Sequence, residues 1–302
     1  MRINVRASAV SCISLIICSL FLWAAPAAAE LDFSFELSGK YEDNVTGVGV
    51  DNPNVGVGVD TRRGGGATTG GVHLKGGIED IITGGTGTGA RAGKQADFSA
   101  TVYADIGTRH DLGEKTGLLL LLSAEHTAYD KFSGLDFTVG TLSAGLSHRF
   151  SEGFSGRIEA SAALKDFHGT DADSTVLGLT AALKERFAGA AWLRESATVE
   201  QSKAKLSTLD YQGAQLAIRA GYDLSERTSL SAGYSYLARD FKNSTVGAQT
   251  NIQAASLDWS MDLSDNWSIL AGYDHEWIKV KSNIASATAD NNVYSAAVRY
   301  DF

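Results

Sequence analysis

The sequence has few of the residues that would stabilise a small secreted fold through disulfides or anchor a chain in a membrane through apolar helices. Its two cysteines, Cys12 and Cys18, lie within the first 29 residues, and only Pro53 of its two prolines lies beyond them. Residues 30–302 therefore form no disulfide, and they hold no apolar run of the roughly 20 residues that a spanning helix needs. They carry 24 Lys and Arg against 35 Asp and Glu, a net charge of −11, which argues against a nucleic-acid partner.

Residues 1–29 have the three parts of a secretory signal peptide. Arg2 and Arg6 give a positive start, residues 10–25 are mainly apolar, and Ala27 and Ala29 fit a small-residue cleavage site before Glu30. We therefore expect export and cleavage, with residues 30–302 left as a single domain.

Strict alternation of apolar and polar residues dominates the rest of the chain. A β-strand sends successive side chains to opposite faces, so alternation indicates strands that separate two environments. In the last segment, Tyr294, Val298 and Tyr300 share one face, whereas Ser295, Arg299 and Asp301 share the other. The pattern predicts twelve strands, at about 31–46, 95–108, 115–129, 135–150, 154–167, 174–187, 190–203, 207–223, 228–241, 248–263, 267–281 and 292–302.

Strand length and connection length favour a transmembrane barrel over a soluble sandwich. The segments are longer than the five or six residues usual in soluble sheets. Short connections at 151–153, 188–190, 225–227 and 264–266 alternate with longer ones at 168–173, 242–247 and 282–291. Short periplasmic turns and longer extracellular loops are typical of outer-membrane barrels. The predicted fold class is thus all-β, a transmembrane antiparallel up-and-down barrel.

Aromatic residues indicate where such a barrel would meet the two membrane surfaces. Trp267 and Trp277 face the same way, ten residues apart. At about 3.3 Å per residue and a tilt of about 40°, they are separated by about 25 Å along the membrane normal. That distance matches two aromatic girdles around an apolar band, and the predicted girdle residues are Trp259, Trp267, Tyr273, Trp277, Tyr294 and Tyr300.

The chain end resembles the assembly signal of bacterial outer-membrane proteins, in which a final Phe follows apolar or aromatic residues at alternating positions. The residues that carry this resemblance are Tyr294, Val298, Tyr300 and Phe302. It implies insertion into the outer membrane of a Gram-negative bacterium by the barrel-assembly machinery, in contact with lipid and lipopolysaccharide. A second stretch, residues 41–45, is similar to the opening of porin-like barrels associated with exopolysaccharide export or surface lipoprotein assembly.

Two segments depart from regular alternation. Residues 47–94 hold 16 of the 33 glycines, which predicts a long special-purpose loop. The alternative is two extra strands near 68–84, giving fourteen in all. The segment 135–150 changes its apolar face near Gly140, which suggests a bulge or kink.

The charged residues of the polar face predict a water-filled or salt-bridged lumen. Acids cluster towards the two chain ends, which adjoin in a closed barrel, and bases dominate the middle. We therefore expect a transverse field across the lumen. The predicted lumen-lining residues are Asp32, Glu36, Asp97, Asp105, Arg157, Glu159, Lys165, Lys184, Arg186, Arg219, Arg239, Asp258, Asp262, Asp274 and Arg299.

Two functions remain open at this stage. The charged lumen favours a porin-like channel for small hydrophilic solutes, or a conduit for export of a surface glycan. The long loop favours a non-conducting barrel whose extracellular loops bind surface components. The histidines show no metal-ligand spacing, and the best protease-like group is His168 with Asp171 and Asp173. We therefore expect no enzyme activity, metal or cofactor.

Overall fold

The computed structural model describes residues 30–43, 56–59, 72–75, 96–167, 173–187, 189–243, 248–281 and 286–302. The predicted signal peptide and most of the predicted loop 47–94 lie outside these ranges, as do His168 and Asp171. Within them, no helix is both long and apolar enough to cross a membrane.

Long β-strands make up most of the described chain. Two single 3-10 turns, Ser133–Leu135 and Ser207–Leu209, interrupt the connections between them. The strands are β1 (Glu30–Glu42), β2 (Gly56–Val59), β3 (Val72–Lys75), β4 (Asp97–Asp111), β5 (Thr116–Tyr129), β6 (Phe137–Arg149), β7 (Phe154–Phe167), β8 (Ser174–Phe187), β9 (Ala191–Ala204), β10 (Tyr211–Ser225), β11 (Thr228–Phe241), β12 (Ala248–Asp262), β13 (Trp267–Lys281) and β14 (Ser286–Asp301).

Twelve of these strands close into one antiparallel barrel. Each strand pairs with its neighbour in sequence, and β1 completes the ring by pairing with both β14 and β4. Ser34, for example, lies opposite Asp301 on one side and Asp105 on the other. The predicted fold and the count of twelve are confirmed. The fourteen-strand alternative is wrong, because β2 and β3 pair with each other as a separate two-stranded sheet.

Alternation along each strand separates a buried interior face from an exposed, apolar exterior face. On β1, Phe35 and Leu37 are 41% and 53% exposed, whereas Ser34, Glu36 and Ser38 between them are buried. Because the sheet is closed, the buried face is the lumen and the exposed face is the outer wall. An outer wall this rich in Leu, Val, Phe and Tyr suits lipid rather than water.

The four connections predicted to be short, at 151–153, 188–190, 225–227 and 264–266, all lie at one end of the barrel. That end also holds the start of β1 and the C-terminal residue, where the Phe302 backbone N–H donates to the Phe33 carbonyl. By the rule for such barrels it is the periplasmic end. The turn between β8 and β9 contains Gly189 at φ 79°, a conformation that glycine adopts without steric cost.

The expected bulge near Gly140 is wrong. β6 keeps an unbroken register with both β5 and β7. Its apparent change of face arises because Phe137 and Val139 are apolar residues that point into the lumen, as Thr141 and Ser143 do lower on the strand. The side chains of β6 alternate regularly between the lumen and the outer wall. Only the chemistry of the lumen-facing residues changes along the strand, from apolar to polar.

The expected connection 282–291 is largely strand. β14 begins at Ser286 and pairs with the upper part of β13, with Ala287 opposite Val280 and Asn291 opposite Glu276. Residues 286–291 are polar, and this composition would indicate a loop only if the strands ended at the edge of the apolar band. Instead the hairpin continues beyond that band, where outward residues are polar: Asn251, Lys279, Lys281, Thr288 and Asp290.

All the predicted girdle residues and assembly-signal residues lie on the outer wall. Trp267 contacts Tyr300 with ring centroids 4.8 Å apart, and Tyr300 contacts Phe302 at 4.4 Å, both at the periplasmic end. Tyr273 and Tyr294 pack together higher up, at 5.1 Å. Ring contacts among the aromatic residues near the chain end therefore connect β13, β14 and β1 on the outer wall of the barrel.

We expect Leu216→Arg to destabilise the barrel in lipid by about 2–4 kcal/mol, because Leu216 is 61% exposed on the central outer wall and would meet hydrocarbon. Denaturant titration of protein folded into vesicles measures this change. Gln215→Arg, one residue along on the lumen side, is the matched control and should cost less than about 1 kcal/mol. Equal losses for the two variants would contradict the assignment of the faces.

Candidate functional site

The lumen is divided along its length into two chemically different halves. All the predicted lumen residues fall on the interior-facing positions of their strands. Three of them, Asp32, Asp262 and Arg299, lie at the periplasmic rim rather than within the bore. The rest divide between an open periplasmic half and a packed extracellular half.

The periplasmic half contains a cavity of about 700 Å³. Much of its lining is small, because serine, threonine, alanine and glycine occupy the interior positions between the charges. Ser196, Ala217, Gly233 and Ser256 are examples, each on a different strand from β9 to β12. These small residues leave space that large side chains would otherwise fill.

One wall of this cavity is cationic. Lys184 on β8 lies directly opposite Arg194 on β9, which lies directly opposite Arg219 on β10. Arg157 and Arg186 flank this row on β7 and β8, and both line the same cavity. The sequence places bases on the middle strands; only the register shows that three of them are immediate neighbours.

Acidic side chains partly neutralise this wall. Arg219 Nη1 lies 2.6 Å from Asp258 Oδ2, reaching across β11 where Gly233 presents no side chain. Arg186 lies 3.0 Å from Asp223, and Arg157 lies 3.6 Å from Glu159. Two of these pairs join residues of different strands and the third lies within β7, but the pairing of the cationic wall is incomplete.

The opposite wall is acidic. Glu36 on β1, Asp105 on β4 and Asp274 on β13 face the lumen there, and Ser34 Oγ donates to Asp105 Oδ2 at 2.6 Å. Asp274 lines the same cavity as the cationic wall. A solute in the periplasmic half would therefore lie between a mainly basic and a mainly acidic surface.

The extracellular half is lined by two apolar clusters that the sequence analysis missed. Their inward positions carry large apolar side chains rather than charges. One cluster comprises Tyr129, Phe137, Val139, Ala163, Phe167 and Val176, and the other Leu209, Tyr211, Leu237, Phe241, Ala248, Ile252, Ile278 and Val280. The sequence did contain an indication of the first cluster, because the apolar residues of segment 135–150 change face near Gly140. The polarity pattern alone could not distinguish apolar residues in the lumen from a bulge.

A repeated loop motif supports both clusters. Residues 131–137 read Lys-Phe-Ser-Gly-Leu-Asp-Phe, and residues 205–211 read Lys-Leu-Ser-Thr-Leu-Asp-Tyr. In each copy a 3-10 turn directs a leucine, Leu135 or Leu209, towards its cluster. The copies lie four barrel strands apart, between β5 and β6 and between β9 and β10.

The aspartate of each motif fastens its loop to the end of the preceding strand. Asp136 Oδ1 accepts the Tyr129 backbone N–H at 2.7 Å, and Asp210 Oδ1 accepts that of Ala204 at 2.7 Å. Asp210 also accepts from Lys203 Nζ at 3.0 Å and from Asn243 Nδ2 at 3.2 Å. Charged acceptors of this kind stabilise a turn more than neutral ones.

Several predicted lumen charges serve this extracellular packing. Arg239 is buried, with its Nη2 atom 2.7 Å from Glu200 Oε1 and its guanidinium 4.2 Å from the Tyr211 ring centroid. Asp97 accepts the backbone N–H groups of Lys131 and Phe132 and so anchors the first motif. These residues, with the buried Lys165, therefore stabilise the packed extracellular half of the barrel and do not line an open channel.

Comparison with solved structures shows a shared fold. An outer-membrane channel from Pseudomonas putida F1 aligns with a TM-score of 0.50 at 9% identity, covering 92% of this chain and 96% of that one. The fold is that of an outer-membrane β-barrel. The monoaromatic hydrocarbon channel CymD aligns at 0.46 and 10% identity, covering 89% and 88%, and the KdgM porin at 0.44 and 10%, covering 89% and 99%. No protein-family model and no curated protein matches the sequence.

No group of His, Cys, Asp or Glu within the described part of this barrel is arranged to hold a metal ion. His126 and His148 each hydrogen-bond a threonine, Thr138 and Thr116, on the outer wall. His275 likewise faces outwards and pairs with Asn292 at 2.8 Å. The ring nitrogens of these three histidines thus hydrogen-bond to outward-facing residues rather than to the charged groups of the lumen.

Replacing Asp210 with alanine should loosen the second loop motif. The substitution removes a charged acceptor from three donors, at a cost of about 1–3 kcal/mol to local closure. Trypsin cleavage after Lys205 should then be about 5- to 150-fold faster, because local opening limits proteolysis of a folded loop. Mass spectrometry of digested intact cells follows the cut. Asp240→Ala, which removes an exposed carboxylate at the same end, should leave the rate unchanged, and an unchanged rate in Asp210→Ala would count against the anchor.

Proposed function

We propose that the chain is a porin-like channel of the Gram-negative outer membrane that passes hydrophilic solutes. The observation that supports this most directly is the periplasmic cavity, lined by charges and small polar residues instead of a packed apolar core. A sealed structural barrel needs no such space, since protein interiors pack without voids larger than a water molecule. The same cavity would also suit the export of a surface glycan, because its lining residues do not determine the direction of transport.

Outer-membrane location follows from the same proposal. The outer wall carries an apolar band with Trp267 and Trp277, each nearly half exposed, ten residues apart on β13. We infer that the barrel is exported with cleavage before Glu30 and inserted through recognition of its last strand by the assembly machinery, with lipopolysaccharide around the extracellular rim. We also propose that the chain is not an enzyme and uses no cofactor, since the described contacts of the cavity include ion pairs, such as Arg219 with Asp258, and no nucleophile–base pair.

A second candidate function has one specific observation in its favour. The two anchored loop motifs and their apolar clusters make the extracellular half rigid and well packed. A rigid extracellular end suits a non-conducting barrel that binds or assembles surface components. The two functions differ in one measurable property, which is ion conduction through the lumen.

Single-channel recording in planar bilayers tests the proposal. We expect discrete ohmic steps in potassium chloride from protein purified from membranes, because a charged aqueous bore conducts small ions. A variant lacking residues 47–94 is recorded beside it. Steps in both support a constitutively open channel, and steps only in the deletion variant support a gated one. If both are silent while the protein still shows heat-modifiable migration on gels, the channel proposal fails and the surface-binding role replaces it.

A further inference from the structure

The row formed by Lys184, Arg194 and Arg219 has no explanation in the stability of the barrel. Each pair in the row occupies directly opposite positions on adjacent strands. Like charges placed in this way destabilise a sheet. Small polar residues occupy comparable lumen positions nearby, as Thr180 and Thr198 do with a hydrogen bond of 2.9 Å between their hydroxyls. The fold therefore tolerates the charges without needing them.

Arg194, at the centre of the row, is the cation best placed to receive a ligand. Within the described ranges it forms no ion pair and no hydrogen bond, and it lines the cavity. Its neighbour Arg219 is instead bound to Asp258. A guanidinium offers five donors in a planar fork that fits a carboxylate through two parallel hydrogen bonds. An anionic group bound here would also relieve the repulsion along the row.

The same cavity contains an acceptor without a donor. Oδ1 of Asp274 is buried and has no hydrogen-bond partner. Leaving such an atom unsatisfied costs about 1–3 kcal/mol, so a ligand that supplies a donor gains from it. A hydroxyl group is the donor that suits this site, because it carries no charge to compete with the cations opposite. Arg194 and Asp274 thus require different groups of one molecule.

Trp192 adds an apolar surface beside the cations. It points into the lumen on β9, two residues before Arg194, with Lys184 Nζ 5.9 Å from its ring centroid. The indole lies over Gly221 of β10, where a methyl group on the glycine would overlap the ring. Glycine at 221 therefore allows the ring to lie against the wall. An indole in this position can contact the C–H groups of a solute whose polar groups point elsewhere.

We propose that the periplasmic cavity binds a polyhydroxylated carboxylate, the chemistry of a sugar acid. Its carboxylate pairs with Arg194 in the field of Lys184 and Arg219, and one of its hydroxyls donates to Asp274 across the lumen. Neither half of the ligand alone satisfies both walls. This inference rests on the proposed channel function, because it names the solute class that the channel favours.

Three six-carbon probes separate the two requirements. Gluconate carries a carboxylate and hydroxyls, hexanoate carries only the carboxylate, and sorbitol carries only hydroxyls. Each is added to wild-type channels conducting potassium chloride, and the concentration that halves the current is measured. We expect gluconate to block at about tenfold lower concentration than either of the others, the factor that corresponds to one charge-assisted hydrogen bond.

Substitutions in each wall should alter this order in different ways. Arg194→Gln should raise the half-blocking concentration of gluconate about tenfold and leave sorbitol unchanged. Asp274→Leu removes the acceptor and one negative charge, so gluconate should block less well while hexanoate blocks equally or better. Arg299→Gln is the matched control: it removes one inward cation at the periplasmic rim, where Arg299 pairs with Asp301, and should leave all three probes unchanged.

The outcomes distinguish this inference from the channel proposal. If wild type conducts but gluconate and hexanoate block equally, or Arg194→Gln behaves as wild type, the inference is overturned and the channel stands. If wild type does not conduct, calorimetry with gluconate in detergent decides instead. Binding that is lost in Arg194→Gln and retained in Arg299→Gln then supports the sugar-acid site in a non-conducting barrel, whereas no binding rejects both.

Discussion

The pairing of β1 with both β14 and β4 is the constraint on which the rest of this structure depends. Inside a bilayer an unpaired backbone N–H or C=O costs several kcal/mol, so an open sheet edge would not be stable there. Closure removes the edge, and it places Phe33 beside Phe302, near the start and at the end of the described barrel, with ring centroids 4.8 Å apart. It also divides every strand into an outer and an inner face, from which both the apolar wall and the charged lumen follow.

This constraint explains why so much of the fold could be predicted from the sequence. Period-two alternation records the two environments directly, and residues such as Phe35, Glu36 and Leu37 are assigned to faces without knowledge of their neighbours. The twelve strands and the position of the short turns follow from it. Strand ends were harder, because alternation weakens where the sheet rises above lipid, and β14 therefore begins six residues earlier than the pattern suggested.

The candidate site was less predictable, because its contacts depend on register between strands. The sequence shows Arg219 and Asp258 as opposite charges on two strands, but not that the small Gly233 between them permits an ion pair of 2.6 Å. Nor does it show that Lys184, Arg194 and Arg219 share one row. The apolar clusters escaped detection for a different reason: a rule that equates inward with polar fails where Phe137 and Leu237 fill the lumen.

The contrast between the two halves of the lumen has a physical basis in solvation. At the packed extracellular end, a charge is removed from water, and Arg239 accordingly sits against both Glu200 and the Tyr211 ring. In the wider periplasmic half, space for water lowers the cost of an incompletely paired cation such as Arg194. A charged side chain that binds a solute must be hydrated when the cavity is empty and accessible to the solute when it enters. Only the periplasmic half meets both conditions, so in the proposed channel the charges that bind a solute belong to this cavity and not to the packed extracellular half.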